Sequence, residues 1–252
     1  MTTGTRSTSS PGQATSRRAV LEAEVARRGD AALRGFLIDV ESAALTYGFT
    51  ASLLDAFSLG QVTARWRTVV DEMVRPVARL FGVTDPAVQA HPYLSDLYER
   101  IRASDVPDKA YSAARAVLSE SAVQGWSHDR TAREMGRAMD AWTATLVPGR
   151  DGLEHEGVSW ATQLHRIART ESTAAYNFHS LESLASDGYA HKRWVAHHDE
   201  ITRPTHLDAD GQTVPLSSTF IVGRDALMVP GDPAGSPAEA YNCRCVIVGV
   251  ES

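Results

Sequence analysis

The stretch SWATQLHRIARTESTAAYNFHSLESLASDG, residues 159–188, divides the chain into two textures. Within it Trp160, Leu164, Ile167, Ala174, Phe178 and Leu181 recur at the three-to-four spacing of one helix face, and Gly188 is placed to cap the C-terminus. The spacing predicts one long helix from about Ser159 to Ser186. Beyond Gly188 the long periods stop. Pro and Gly cluster, and KRWVAHH, the segments flanking Asp210-Gly211, and CRCVIVGV read as short strands between turn residues. The Asp-Gly pair predicts a hairpin.

Upstream of residue 159 the pattern is helical. Leu33, Phe36, Val40, Ala44 and Tyr47 share a face that Gly48 ends, and Val62, Trp66, Val69, Met73, Val77 and Leu80 form a second stripe. Pro76 lies inside that stripe and predicts a kink or break near Arg75. Leu94, Leu97 and Ile101 suggest a helix after Pro92, and Tyr111, Ala114, Leu118 and Val123 another after Pro107. Ser127 is an expected N-cap, followed by Met135, Met139, Trp142 and Leu146 before Pro148 and Gly149. Residues 147–158 read as a loop. Residues 1–16 are rich in Ser, Thr and Gly and predict a flexible arm. The expected fold class is α+β: the arm at 1–16, a mainly helical region over 17–150, and a small α+β domain with short antiparallel strands over 151–252.

Composition narrows the function classes. A chain of 252 residues can bury a sizeable core, and a net charge of -6 does not suit general neutralisation of a phosphate backbone. No apolar leader and no run of about 18 apolar residues is visible, so neither a secretion signal nor a membrane partner is expected. Cys243 and Cys245 are too close in sequence for an unstrained disulfide and read as thiols.

Chemistry-bearing residues concentrate after residue 165. Glu171 lies in line with the apolar stripe of its helix, either at the edge of the stripe reaching solvent or paired with Arg169 or Arg203. Cys243 and Cys245, two apart in an extended segment, would point both sulfurs to one side. Two thiolates can hold a soft ion, and zinc prefers four ligands from Cys, His and carboxylates. His206 is the expected third ligand and His198 the fourth, with His197 or Asp199 as substitutes; His191 and Asp208 add to the density. The competing reading makes the cysteines small core hydrophobes and His206 a hydrogen-bonded structural residue. A metal-dependent nuclease or hydrolase is the alternative chemistry for the His-His-Asp-Glu run at 197–200 with His206. No H-E-x-x-H, G-x-S-x-G or phosphate-loop motif accompanies it.

A set of motifs gives these residues a familiar order. Arg166 to Glu171 (Arg-Ile-Ala-Arg-Thr-Glu), Asn177, Trp194, Asp199, Arg203, His206, Asp210-Gly211, Phe220, Pro230-Gly-Asp-Pro233 and Asn242-Cys-Arg-Cys245 resemble the C-terminal domain of the phage Mu F-like minor head proteins. The resemblance covers roughly residues 105–250 and includes the GWSHDRTAREM segment. The first 100 residues carry none of its motifs. Ala209 departs from the pattern, which would carry a larger apolar residue there.

The resemblance implies a minor capsid protein acting in head morphogenesis, with the portal protein and the major capsid protein as partners and no catalytic residue. The implied location is the virion, in the phage head near the portal vertex, after assembly in the host cytoplasm. It also implies a structural role for Arg166, Glu171, Asn177, Trp194, Asp199, Arg203, Gly211 and Asn242, in part as a charged network of Asp199, Arg203 and Glu171. Packaged DNA is a further expected partner, through Arg17, Arg18, Arg27 and Arg28, which otherwise form a solvated helix end.

Overall fold

The structure is a computed structural model, and it describes residues 10–47, 58–84, 91–104, 106–141, 147–148, 154–155 and 160–251. Five helices come first: α1 (Pro11–Tyr47), α2 (Leu59–Leu80), α3 (Pro92–Arg102), α4 (Val106–Gln124) and α5 (His128–Ala141). A two-stranded ribbon of β1 (Val147–Pro148) and β2 (Glu154–His155) pairs where a loop was expected. Next come the long α6 (Trp160–Ser186), β3 (His191–Val195), α7 (Pro204–Asp208), β4 (Thr213–Pro215), β5 (Phe220–Val222), β6 (Asp225–Leu227), α8 (Pro237–Ala240) and β7 (Val246–Val250). Helices followed by short antiparallel strands make this an α+β protein, as the periodicity indicated.

Local signals explain the helix starts. The Ser10 hydroxyl accepts a hydrogen bond from the Gln13 backbone N–H, and the Gln13 side chain accepts from the Ser10 N–H. This reciprocal capping box, with Pro11 in the first turn, begins α1 inside the stretch whose composition suggested an arm. Residues 1–9 lie outside the described residues. Ser58 and Gln61 repeat the device at the start of α2, and the Ser127 hydroxyl caps α5 through the Arg130 N–H. Pro76 lies in the interior of α2, and the helix is not split there. Gly188, at φ +76°, ends α6: the Tyr189 N–H returns to the Leu184 carbonyl and the Gly188 N–H to that of Ala185.

The chain forms two compact units that interleave along the sequence. One comprises the described parts of Arg27–Val74 and Ser95–Leu164. Its interior holds Leu33, Phe36, Val40 and Ala44 of α1, Val62, Trp66, Val69 and Met73 of α2, Leu97 and Ile101 of α3, Ala114 and Leu118 of α4, and Met135 and Met139 of α5. The Trp66 ring meets Phe36 edge-on at 5.4 Å and donates its indole N–H to the Ile101 carbonyl. Val123, expected on the α4 stripe, is exposed, since it falls in the last turn beyond the packed face. Trp142, Leu146, Gly48 and the side chains of Tyr47, Trp160 and Leu164 lie outside the described residues.

The other unit comprises the described parts of Met1–Ala26, Arg75–Leu94 and His165–Ser252. The first half of α1 joins it because Glu22 accepts from Arg18 at 2.6 Å and from Arg169 of α6 at 2.8 Å. A three-stranded antiparallel sheet in the order β4-β3-β7 pairs Trp194 with Ile247 and Lys192 with Val214. Alternation along β3 buries Lys192 and Trp194 on one face. A core of Trp194, Ala209, Phe220, Val222, Leu227, Cys243, Cys245 and Ile247 lies against Phe178, Leu181 and Leu184 of α6. β5 and β6 form a separate hairpin turning at Gly223.

The Asp-Gly hairpin is corrected. The segment before Asp210 is the helix α7, started by Pro204, and β4 pairs with β3 instead. The Asp210 side chain explains the difference: its Oδ1 accepts the Ala196 N–H at 2.8 Å, while the Gly211 N–H donates to the Trp194 carbonyl. The turn therefore closes onto the end of β3, and Gly211 takes φ +78° to do so.

Candidate functional site

Asn177 is the fixed point on which the C-terminal strand is hung. It is fully buried on α6, and its Nδ2 donates to the carbonyls of Thr173, Pro230 and Cys245, while its Oδ1 accepts the Ile247 N–H at 3.0 Å. Thr173, also buried, donates its hydroxyl to the Cys243 carbonyl at 2.7 Å, and the Thr170 hydroxyl accepts the Asn242 N–H. Asn242 itself sits at φ 56°, a left-handed conformation that Asn tolerates better than most residues. The backbone from 242 to 247 is thus gripped on one side by α6.

On the other side stand the sulfurs. Cys243 and Cys245 precede β7 rather than lying in it, yet both side chains are buried and both face His206 of α7. The His206 Nδ1 is 3.4 Å from the Cys245 Sγ and 3.6 Å from the Cys243 Sγ. All three donor atoms lie within 4.8 Å of one another. Trp194 packs its ring edge-to-face on His206 at 5.5 Å and on Phe220 at 5.4 Å, closing the site with apolar surface. Burial holds the Cys243 thiol well above its usual range. The Cys245 thiol is drawn below its usual range, first by the hydrogen bond from Cys243 and then by the His206 ring.

His198, the expected fourth ligand, does not join this trio. Its Nε2 is 2.9 Å from Asp210 Oδ2 and its side chain is exposed. His197 and Asp199 are drawn elsewhere too. Asp199 accepts from Arg244 at 2.5 and 2.8 Å and from the Thr202 hydroxyl and the Ile201 N–H. The Arg244 guanidinium, mainly, holds its carboxyl down to about 2. His197 faces Asp199 at 3.5 Å. His197 and His198 thus face two different carboxylates, and neither joins His206 and the cysteines.

The charged network is likewise rearranged. Arg169 turns to Glu22, Asp199 to Arg244, and Arg203 donates to the Tyr241 carbonyl. Glu171 is half-buried, and its carbonyl accepts the Tyr93 hydroxyl; Arg166 is half-buried on the same helix. Of the arginines suggested for DNA, Arg18 is buried against Glu22 and Thr173, and Arg28 pairs with Glu72 at 2.7 Å. Ala209, small where a larger residue was expected, is buried in the core.

Three residues escaped the sequence reading. Glu239 of α8 places its Oε2 at 3.1 Å from the His206 Nε2 and also accepts the Thr205 hydroxyl at 2.8 Å. Lys192 is buried beneath β3 and donates to the carbonyls of Leu216 and Met228. Asp232, inside Pro230-Gly-Asp-Pro233, accepts the N–H groups of Met228 and Ala234 and so shapes that loop. The partners of Glu239 and Lys192 are fixed by tertiary packing, so spacing carried no signal for them, while Asp232 bonds locally within a motif that was quoted whole without a role for its carboxylate.

A family model described as Phage Mu protein F like protein matches residues 115–248, more than half of the chain. The chain belongs to that family. The matched region takes in the second half of α4, all of α5 and α6, and the chain from α6 into β7 that carries Asn177, His206 and the cysteines. The Mu F-like family is one of structural phage-head proteins acting in head morphogenesis. No curated protein and no solved structure matches the chain. Among the described residues no helix is long and apolar enough to cross a membrane.

Proposed function

We propose that this Mu F-like protein is a minor capsid component that works beside the portal, contacts the portal and the major capsid protein, and assists head assembly and genome packaging or ejection. The observation that carries the reading is the family match across the region in which Asn177 and Thr173 lock helix, strand and loop together. Such a domain holds a shape, with the Asn177 and Thr173 side chains directed at the backbone of neighbouring elements. That suits a part that is assembled rather than one that turns over a substrate. The helices before residue 115 are the segment that distinguishes this chain from the common domain and are assigned the partner contact.

Quantitative mass spectrometry of purified heads and of a portal pull-down tests this. The protein is expected in heads at few copies relative to the capsid protein, and in the portal fraction. Deletion of its reading frame is expected to leave heads that fail to package or to infect. Its absence from heads, or chelator-sensitive nucleic-acid cleavage lost in a folded His206→Ala variant, would overturn the proposal.

A further inference from the structure

One imidazole nitrogen lies nearly equidistant from two thiols. A ring nitrogen has one lone pair and accepts one thiol proton along its axis, so a hydrogen bond accounts for one of the two approaches. A tetrahedral zinc accounts for both. With Zn–S near 2.3 Å and Zn–N near 2.0 Å, the N···S edges of the tetrahedron come to about 3.5 Å. The observed edges are 3.4 and 3.6 Å.

The surroundings fit the same ligand. The Nε2 of His206 faces the Glu239 carboxylate at 3.1 Å, and that carboxylate is itself held by Thr205. A proton on Nε2 donated to Glu239 leaves the Nδ1 lone pair directed at the sulfurs, the arrangement that metal-bound histidines obtain from a carboxylate behind them. The carbonyls of Cys243 and Cys245 are held by Thr173 and Asn177, which fixes the Cys-x-Cys backbone and leaves its side chains turned to His206. Two thiolates would balance the charge of a divalent ion, which suits a site buried among Trp194, Phe220 and Ala209.

We infer that Cys243 Sγ, Cys245 Sγ and His206 Nδ1 bind one zinc ion, with Glu239 as the positioning residue that sets the imidazole tautomer and with His198 outside the ligand set. The ion ties α7 to the segment that leads into β7 and so closes the domain. Binding releases to solvent whatever protons the two sulfurs and the His206 Nδ1 still hold and changes no oxidation state. The inference holds whether or not the chain works at a portal.

The test uses the full chain, purified without an affinity tag. Elemental analysis is expected to find about one zinc per chain. X-ray absorption at the zinc edge is expected to show two sulfurs near 2.3 Å and the His206 nitrogen near 2.0 Å. Cobalt titrated into the metal-free, refolded chain is expected to give a sulfur-to-metal charge-transfer band, which reads binding without any variant. His198→Ala should bind zinc as the parent does, and Cys245→Ser should lose the charge-transfer intensity of one thiolate. Glu239→Gln should keep the same band while competing about 10- to 100-fold less well against a chromophoric chelator. A chain that carries no zinc and gives no cobalt band overturns the site. Unchanged affinity in Glu239→Gln overturns the role of that carboxylate, and loss of binding in a folded His198→Ala overturns the ligand set.

Discussion

The Asn177 side chain donates to the Cys245 carbonyl from 68 positions away, at 3.1 Å, and accepts the Ile247 N–H with its other end. One buried amide thereby substitutes for the strand neighbour that the backbone of 245–247 would otherwise need on that side. Asn177→Ala would strand the Ile247 N–H and the carbonyls of Pro230 and Cys245 in the core. A buried unsatisfied group costs about 1–3 kcal/mol, so the variant is expected to lose roughly 3 kcal/mol or more. Urea unfolding followed by tryptophan fluorescence checks it. A loss below about 1 kcal/mol would show that solvent reaches the strand and that the amide is not its anchor.

Two glycines with the same backbone angle should respond differently to alanine. Gly211 and Gly231 both stand at φ +78°, but a Cβ at Gly211 meets nothing within 4 Å, whereas at Gly231 it would come within 3.1 Å of the Ala174 backbone nitrogen on α6. Gly211→Ala is expected to cost only the left-handed penalty, about 1–2 kcal/mol. Gly231→Ala adds overpacking against a helix backbone that cannot swing aside, about 1–3 kcal/mol more. Equal midpoints for the two variants in thermal unfolding would contradict the close approach of the Pro230 loop to α6.

The sequence showed most of the helices because their signals are local. Val62, Trp66, Val69 and Met73 are all fully buried, as their periodicity required. The Asp-Gly turn misled because a dipeptide cannot reveal that Asp210 uses its carboxylate on Ala196, which turns a hairpin signal into the closure of a helix onto a strand. Average composition also hid a four-residue signal, the Ser10 and Gln13 capping box, inside a Ser-rich leader. At the candidate site, side-chain type alone pointed to His206, Cys243 and Cys245. Glu239 stayed invisible because only the folded chain brings α8 behind the imidazole. His198, nearer in sequence and of the right type, is held away by Asp210.

Lys192 gives the domain a pH dependence with a definite sign. Burial lowers its ammonium to about 8 against 10.5 for an ordinary lysine, opposed by the charge of Asp232, with the Leu216 and Met228 carbonyls, the Met228 sulfur and the Phe220 ring as its other neighbours. Between those values the unfolded chain holds a proton that the folded chain has released. Stability attributable to Lys192 therefore rises with pH from about 8 to 10.5, by at most about 1.4 kcal/mol per unit, the slope of one proton. Lys192→Met should remove that slope. Chemical denaturation at a series of pH values compares the two, and parallel curves would assign the titration to another group.

Asp199 titrates in the opposite sense. Its carboxyl is held at about 2, chiefly by Arg244 and also by the Thr202 hydroxyl and the Ile201 N–H, below the ordinary 3.8. The folded form thus favours the ionised acid, and that preference is complete above about 4 and lost as the pH falls through 2. Arg244→Gln removes the first of the three causes and leaves the other two. Carboxyl carbon shifts followed by NMR on acidification should place the Asp199 midpoint near 2 in the parent and closer to 3.8 in the variant. A parent midpoint already at the ordinary value would mean that the arginine swings free in solution and that the Thr202 and Ile201 hydrogen bonds do not hold the carboxylate either.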